Sequence, residues 1–306
     1  MSETEKTHFS ARGFDLRPAH EALDILVTAQ MGAAWSVRSA MAEIARGSEL
    51  MADALARGGK LAYAAAGSSA LMALADGLEL PGTFGIPRER IKILIAGGLG
   101  ALSDLLGGPE DDDTQATADV ADAGIGAGDV VIAVSASGTT PYAVAAASAA
   151  RSRGAIVIGI ANNRGTPLLE VADVAICLPT PPEVIAGSTR MGAGTAQKIA
   201  LNMLSTMMAT RLGHVHDGFM VNVTADNLKL KARARRIVAE IAGVEPGEAE
   251  DCLDRALGAV KPAILLAAGA TDFGAARALL ERTHGRLRPA LSMLRTSATT
   301  ADRTAS

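Results

Sequence analysis

Three stretches hold the residue types best able to do chemistry. Residues 65–70 read A-A-G-S-S-A, residues 135–142 read S-A-S-G-T-T-P-Y, and residues 183–198 read E-V-I-A-G-S-T-R-M-G-A-G-T-A-Q-K. The first offers Gly67, Ser68 and Ser69; the second offers Ser135, Ala136, Ser137, Thr139 and Thr140. Each follows an apolar run of strand length and precedes a helical run. Hydroxyls and free backbone amides would therefore gather where a strand ends and a helix begins, a position suited to an anion and most often to phosphate. Serine and threonine at such places also cap helices without any ligand. Two such loops at the strand ends of one sheet favour the phosphate-type site. In the third stretch Gly187, Gly192 and Gly194 allow backbone to approach a ligand closely. Ser188, Thr189 and Thr195 can donate to it, and Glu183 and Lys198 can reach polar groups on a ligand or tie the loop down.

These loops need a scaffold, and the apolar pattern supplies one. Residues 60–66, 91–96, 129–135, 155–162 and 172–178 are short apolar runs bounded by Gly, Ser, Asn, Asp or Pro. Helical segments at 68–77, 99–106 and 140–152 separate the first four, and a helical turn at 166–171 fits between the last two. Strands that are apolar throughout and alternate with helices predict a parallel sheet covered on both faces. The expected fold is α/β, an open parallel sheet of about five strands flanked by helices. Residues 17–57 carry apolar positions at helical spacing and predict two or three helices. Long helices are expected at 193–212 and 223–242, then a set of short ones at 246–257, 262–268, 273–281 and 286–294. The implied organisation is a tail and helices at 1–57, with residues 1–12 loose, a phosphate-binding domain at 58–242, a small helical domain at 243–295 and a disordered tail at 296–306.

Composition narrows the function. The 306 residues are 49% hydrophobic but only 3% aromatic, so small aliphatic side chains must build the core. A net charge of −4, with no basic arm, argues against a nucleic-acid partner. Two cysteines are too few for a disulfide framework and fit a reducing compartment. The polar start M-S-E-T-E-K-T-H has no apolar leader, and no apolar run is long enough to span a bilayer, so no membrane partner and a cytoplasmic location are expected. The glycines of G-I-G-A-G at 124–128 precede a strand rather than follow one, so they read as a turn. His214 and His216 are two residues apart with no further ligand at metal spacing and read as a turn between helices. Cys177 falls in an expected strand and reads as core, as do Trp35, Met203, Met207 and Met208 as core or interface.

The motifs also resemble a known family. S-x-S-G-x-T at a strand end is similar to the phosphosugar loop of sugar isomerase (SIS) domains. G-S-S at 67–69, E-L-P-G-T-F-G at 79–85, I-A-G-G at 95–98, G-G-P-E-D-D at 107–112, the 135–142 loop, G-S-T-R-M-G-A-G-T-A-Q-K-I-A-L-N-M-L-S-T at 187–206 and V-N-V-T-A-D-N-L-K-L at 221–230 come in the order seen in N-acetylmuramic acid 6-phosphate etherases. The resemblance spans about residues 15–295. It implies a homodimer whose 187–206 segment lines the sugar-phosphate pocket and leads into a helix at the dimer interface. It implies a lyase that removes D-lactate from C3 of an amino sugar after a carboxylate takes the C2 proton, with water then adding back. It assigns the two catalytic carboxylates to Glu79, as proton donor to the leaving lactate, and Glu110, as the partner at C2. No cofactor and no metal are implied. Read without the resemblance, Glu79 sits among Leu78, Leu80, Pro81 and Phe84, where a carboxylate can gain proton affinity or simply lie half-exposed. Glu110 sits in E-D-D-D, which reads as a solvated acidic loop.

Three positions depart from the family pattern. Leu71, Thr139 and Gly192 stand where the family carries arginine, arginine and lysine. A bidentate arginine is hard to replace with an aliphatic or hydroxyl side chain when the ligand is an anion. Either hydroxyls and amides alone hold the anion, or the substrate is less anionic or differently shaped. Two alternatives thus stay open: a related lyase or isomerase on another sugar phosphate or sugar acid, and a sugar-phosphate-sensing regulator without turnover, against which both retained glutamates speak.

Overall fold

The computed structural model describes residues 3–103, 108–225 and 227–304. After two helices, α1 (Ala19–Ser36) and α2 (Met41–Ala56), the chain alternates strand and helix. The order is β1 (Leu61–Ala65), α3 (Gly67–Phe84), β2 (Ile91–Ile95), α4 (Asp113–Asp122), β3 (Val130–Ser135), α5 (Pro141–Ser152), β4 (Ile156–Ala161), α6 (Pro167–Val171) and β5 (Val174–Cys177). The five strands form one parallel sheet in the order β2-β1-β3-β4-β5. Register runs Leu61 against Ile91 on one side and Val130 on the other, then Val130 against Ile156 and Ile158 against Val174.

Burial explains why alanine-rich segments serve as strands and helices here. All of β1, L-A-Y-A-A, is buried although alanine has little strand preference. Its neighbours on both sides supply the pairing. Ala143, Ala146, Ala147 and Ala150 put the alanine face of α5 fully into the core, and the last three pack in one cluster with Ala62, Ala64, Ala133 and Val157 of the strands. Small side chains let helix and sheet approach closely, which is how a chain this poor in aromatics fills its interior.

The chain leaves β1 for β2 on one edge, then crosses back past β1 to reach β3 and continues to the other edge. The turns after β1 and β3 therefore diverge. In an open parallel sheet that reversal opens a crevice at the carboxyl ends of the strands.

The chain divides into two compact units, one formed by residues 1–78 and 88–208, the other by 79–87 and 209–306. The second contains a small hairpin, β6 (Val215–His216) with β7 (Phe219–Met220), and five helices, α8 (Leu228–Ala242), α9 (Pro246–Arg255), α10 (Val260–Ala267), α11 (Phe273–Arg282) and α12 (Leu287–Thr304). Val221, Ile237, Val238, Leu253, Ile264, Leu265 and Leu287 share its core. Residues 209–242, expected above within the phosphate-binding domain, thus cluster with the C-terminal helices.

Several expected boundaries move. The helix expected at 68–77 runs on to Phe84 with Pro81 inside it, so E-L-P-G-T-F is helical rather than a loop. Pro81 falls in the last turn of that helix, where its missing amide removes one backbone donor from the ladder. The helix expected at 99–106 is a short 3-10 turn at Leu99–Ser103, and residues 104–106 lie outside those described. A ten-residue helix, α4, follows the acidic run instead, opened by Asp112 accepting from the Gln115 amide. The helix expected from 223 begins at Leu228 behind an Asn227 cap. The tail expected to be disordered from 296 lies mostly on α12, which runs to Thr304; residues 305–306 lie outside those described. His214 and His216 enter and form the β6–β7 hairpin rather than a plain inter-helix turn, and 124–128 is a turn.

Candidate active site

The β3 loop is a closed hydroxyl cluster. Ser135 Oγ lies 2.8 Å from Thr140 Oγ1 and 3.2 Å from Ser137 Oγ. It also accepts from the Gly138 amide at 3.0 Å, and Ser137 Oγ accepts from the Thr139 amide at 3.1 Å and the Thr139 hydroxyl at 3.0 Å. Gly138 holds a φ of 74°, and a Cβ there would meet Thr166 Oγ1 at 2.3 Å, so only glycine lets the loop turn this tightly. Thr140 stands at the N-cap of α5 without a side-chain cap bond, because its hydroxyl is turned into the cluster. The loop hydroxyls are therefore not spent as helix caps. They form a preassembled donor set that a phosphate group could enter.

Two asparagines at the end of β4 fasten this loop, and sequence reading passed over them. Asn163, buried, donates from Nδ2 to the carbonyls of Ala136 at 3.0 Å and Ser137 at 3.4 Å. Its other contacts are with the N-terminal segment: Oδ1 accepts from the Glu3 amide at 2.7 Å and the Thr4 amide at 3.4 Å, and Nδ2 donates to Thr4 Oγ1 at 3.1 Å. Thr4 and His8 are buried, so residues 3–8 are pinned down rather than loose as expected. Asn162 donates its amide to Ala136 O and takes a bond from buried Gln197 at 3.0 Å, joining α7 (Gly192–Arg211) to the loop. The N-N pair after an apolar strand was the available signal.

At the end of β1, Gly67 opens α3 with a φ of 53°. Ser69 is buried in the first turn and Ser68 is half-buried. A Cβ on Gly67 would stand 2.5 Å from Glu110 Oε1, so the Glu110 carboxylate lies directly against this loop. Glu110 belongs to a short 3-10 turn, Gly108–Asp111, and is half-buried rather than a fully solvated member of E-D-D-D. Burial, and secondarily the neighbouring Asp111 charge, raises its pKa above the ordinary carboxylate value. The fold thus brings Glu110 to the Gly67–Ser69 loop.

Glu79 is exposed on α3 between exposed Leu78 and buried Leu80. Apolar neighbours in sequence do not bury it, because adjacent helical residues point about 100° apart. It begins the 79–87 segment that clusters with the second unit.

In the 183–198 stretch Glu183 takes the second of the two roles open to it, tying the loop down, and Thr195 bonds within the protein. Glu183 is buried, and its two oxygens accept from the amides of Gly192 at 2.9 Å and Ala193 at 2.8 Å. Both are committed to the start of α7, so Glu183 anchors the loop as a helix cap and is not free to face a substrate. Thr195 Oγ1 donates to Gln30 of α1 at 2.6 Å. Gly187 has a φ of 76°, Ser188 and Thr189 are half-buried in the turn before α7, and Lys198 is exposed on its second turn. Gly192 is closely packed: a Cβ would stand 3.1 Å from Ala33 Cβ and 3.1 Å from Glu183 Oε2. Leu71 and Thr139 are exposed. Among the described residues no group of three His, Cys, Asp or Glu side chains could hold a metal ion, and no helix is long and apolar enough to cross a membrane.

Two family models described as SIS domain match residues 33–162 and 114–211. A protein of Bacteroides fragilis assigned as a phosphosugar isomerase involved in capsule formation shares the fold, with a TM-score of 0.50 at 20% identity over 66% of this chain and 95% of that one. Closer in sequence are proteins named N-acetylmuramic acid 6-phosphate etherase. That of Deinococcus radiodurans is 42% identical over 86% of this chain and 86% of its own length. That of Streptomyces avermitilis is 44% identical over 84% and 83%, and that of Mycolicibacterium smegmatis 41% identical over 94% and 97%. Likeness at this level along nearly the whole of both chains, on a sheet whose strand ends carry the expected loops, means that the chain belongs to the N-acetylmuramic acid 6-phosphate etherase family.

Proposed function

We propose that the protein is a carbon–oxygen lyase that cleaves the D-lactyl ether of N-acetylmuramic acid 6-phosphate to N-acetylglucosamine 6-phosphate and D-lactate. The observation that carries this reading is the Glu110 carboxylate lying against Gly67 at the end of β1, with its proton affinity raised by burial. A carboxylate so placed, with raised proton affinity, can take a proton from carbon and give it back. Glu110 removes the C2 proton. The C3–O bond breaks, and its electron pair leaves with the lactate oxygen, which takes a proton from Glu79, the role the family resemblance gives that residue. Water then adds to C3 of the unsaturated sugar, and a proton returns to C2. The Ser135–Thr140 hydroxyls, the amides of that loop and Gly67, Ser68 and Ser69 hold the phosphate, with Ser188, Thr189 and Lys198 turned toward the sugar.

We further assign a homodimer in the cytoplasm. Leu23, Val27, Met31 and Trp35 recur every fourth residue on α1 and are all exposed, an apolar stripe that a second copy would cover. Both cysteines are free thiols, which fits a reducing compartment.

A second reading is a related reaction on a less anionic sugar, favoured by Leu71, Thr139 and Gly192 in place of cations. D-lactate release from N-acetylmuramic acid 6-phosphate, against equimolar unphosphorylated sugar, tests both. Release from the phosphate ester alone is the expected result. Equal release from both sugars moves the assignment to the second reading, and no release from either overturns the lyase on this substrate.

A further inference from the structure

Lys261 is the most deeply buried cation of the described residues, 7% exposed in the first turn of α10. Its Nζ donates to Gly285 O at 2.9 Å, and no carboxylate among the described residues pairs with it. Burying an ammonium without a counter-charge is costly. Burial accordingly pushes it down to about 8, which still leaves it mostly protonated at pH 7. The nearby His214 does not relieve it: burial first, and the Lys261 charge second, hold that imidazole down to about 4, so it is neutral. A neutral donor would tie Gly285 without this cost.

The ammonium also has somewhere to point. Lys261 and Gly285 both line a cavity of about 520 Å³, together with Asn222, Thr224 and the 257–260 turn. That size falls within the range of small-molecule sites. α10 starts on the same wall, and its N-cap Ala259 offers no side-chain cap. First-turn amides there add positive potential to that of the lysine.

We propose that this cavity is an anion site, in which the carboxylate or phosphate group of a small molecule sits on the Lys261 ammonium. The lining residues all belong to the second unit, so the proposal stands apart from the lyase reading. The ligand replaces the missing counter-charge and stitches the 221–225 segment to the start of α10.

The test uses the full-length chain carrying Ser137→Ala and Thr140→Val, which removes the hydroxyl loop as a competing anion site. Melting temperature is followed with inorganic phosphate and with D-lactate. At least one anion should raise it, and the larger rise identifies the group. Adding Lys261→Met should abolish the rise, while Lys261→Arg should keep most of it. No rise from either anion in the loop variant, or a full rise that survives Lys261→Met, overturns the site. Should Lys261→Met fail to fold, crystals of the unaltered chain soaked in selenate decide the matter. A selenium anomalous peak within hydrogen-bonding reach of Lys261 Nζ supports the site; selenate bound only at the Ser137 loop overturns it.

Discussion

Glu110 occupies the space that a side chain on Gly67 would need, its Oε1 standing 2.5 Å from where a Cβ would be built. Glycine at position 67 thus serves two ends, a left-handed turn into α3 with φ 53° and room for a carboxylate at the mouth of that helix. Gly67→Ala should cost about 1–2 kcal/mol from the left-handed backbone alone. The carboxylate is the flexible partner and will swing aside, so the variant should fold. Turnover should fall more than tenfold, far beyond what a few degrees lower melting temperature explains. A variant with near-normal kcat would mean that the Gly67–Glu110 approach has no part in the chemistry.

Glu110→Gln separates catalysis from stability. A carboxyl with raised pKa binds its proton more tightly folded than unfolded, so the stability it contributes is present at low pH and is lost as pH rises from the ordinary value of 4.5 through the raised one. Once ionised, Glu110 holds a charge that burial and Asp111 both disfavour. The glutamine variant should therefore be at least as stable as wild type at pH 7 by urea unfolding, with the gap closing below pH 4.5. It should release no D-lactate. In the wild-type enzyme kcat/KM should rise with pH through the raised pKa, because the base must be ionised. A variant that is both less stable at pH 7 and still active would remove Glu110 from the mechanism.

Asn163→Ala probes the fastening of the β3 loop. It deletes buried bonds to Ala136 O, Ser137 O and the N-terminal segment. Each buried bond is worth about 1 kcal/mol net, and the carbonyls left behind lose their partner, so a loss of about 2–4 kcal/mol is expected. With the loop loosened, KM for the phosphosugar should rise more than kcat falls. Removing residues 1–8 should reproduce part of the KM effect, since Thr4 and the Glu3 amide are the other side of the same network. An unchanged KM in both variants would show that the loop holds its shape without Asn163.

Much of this was legible in the sequence, for physical reasons that can be named. Apolar runs such as V-V-I-A-V-S and I-V-I-G-I-A cannot face water on either side, so the parallel sheet followed from them, and the Ser135–Thr140 loop was readable because a strand end and a helix start fix where its hydroxyls go. What escaped was what depends on three-dimensional return of the chain. Asn163 meets Thr4 across 159 positions, and no local pattern announces that. Composition left Glu183 two roles, ligand contact or loop anchor, and only the folded chain shows that it caps a helix nine residues on. The apolar neighbours of Glu79 left open whether it is enclosed or exposed, and the 100° step of a helix, which separates sequence neighbours, leaves it exposed. Glu110 in an acidic run looked solvated until Gly67 was found beneath it.

Two of the three positions that lack the family's basic residues, exposed Thr139 and tightly packed Gly192, should respond in opposite ways when those are restored. Thr139 is exposed at the tip of the hydroxyl loop, and its hydroxyl donates to Ser137 Oγ. Thr139→Arg should leave the unfolding free energy within about 0.5 kcal/mol of wild type, as surface substitutions do. A guanidinium at that loop can pair bidentately with phosphate, so KM for the phosphorylated sugar should fall while that for the unphosphorylated one stays put. Gly192→Lys meets a different wall. Its Cβ would press on Ala33 Cβ and Glu183 Oε2, both at 3.1 Å, and Glu183 cannot yield without releasing the amides of Gly192 and Ala193. Overpacking of that kind costs about 1–3 kcal/mol, and a lost helix cap about 1 more. Thermal unfolding of the two variants side by side checks the contrast. A Gly192→Lys chain as stable as wild type would show that α1 can move away from α7 at Ala33, and that the glycine is not held there by packing.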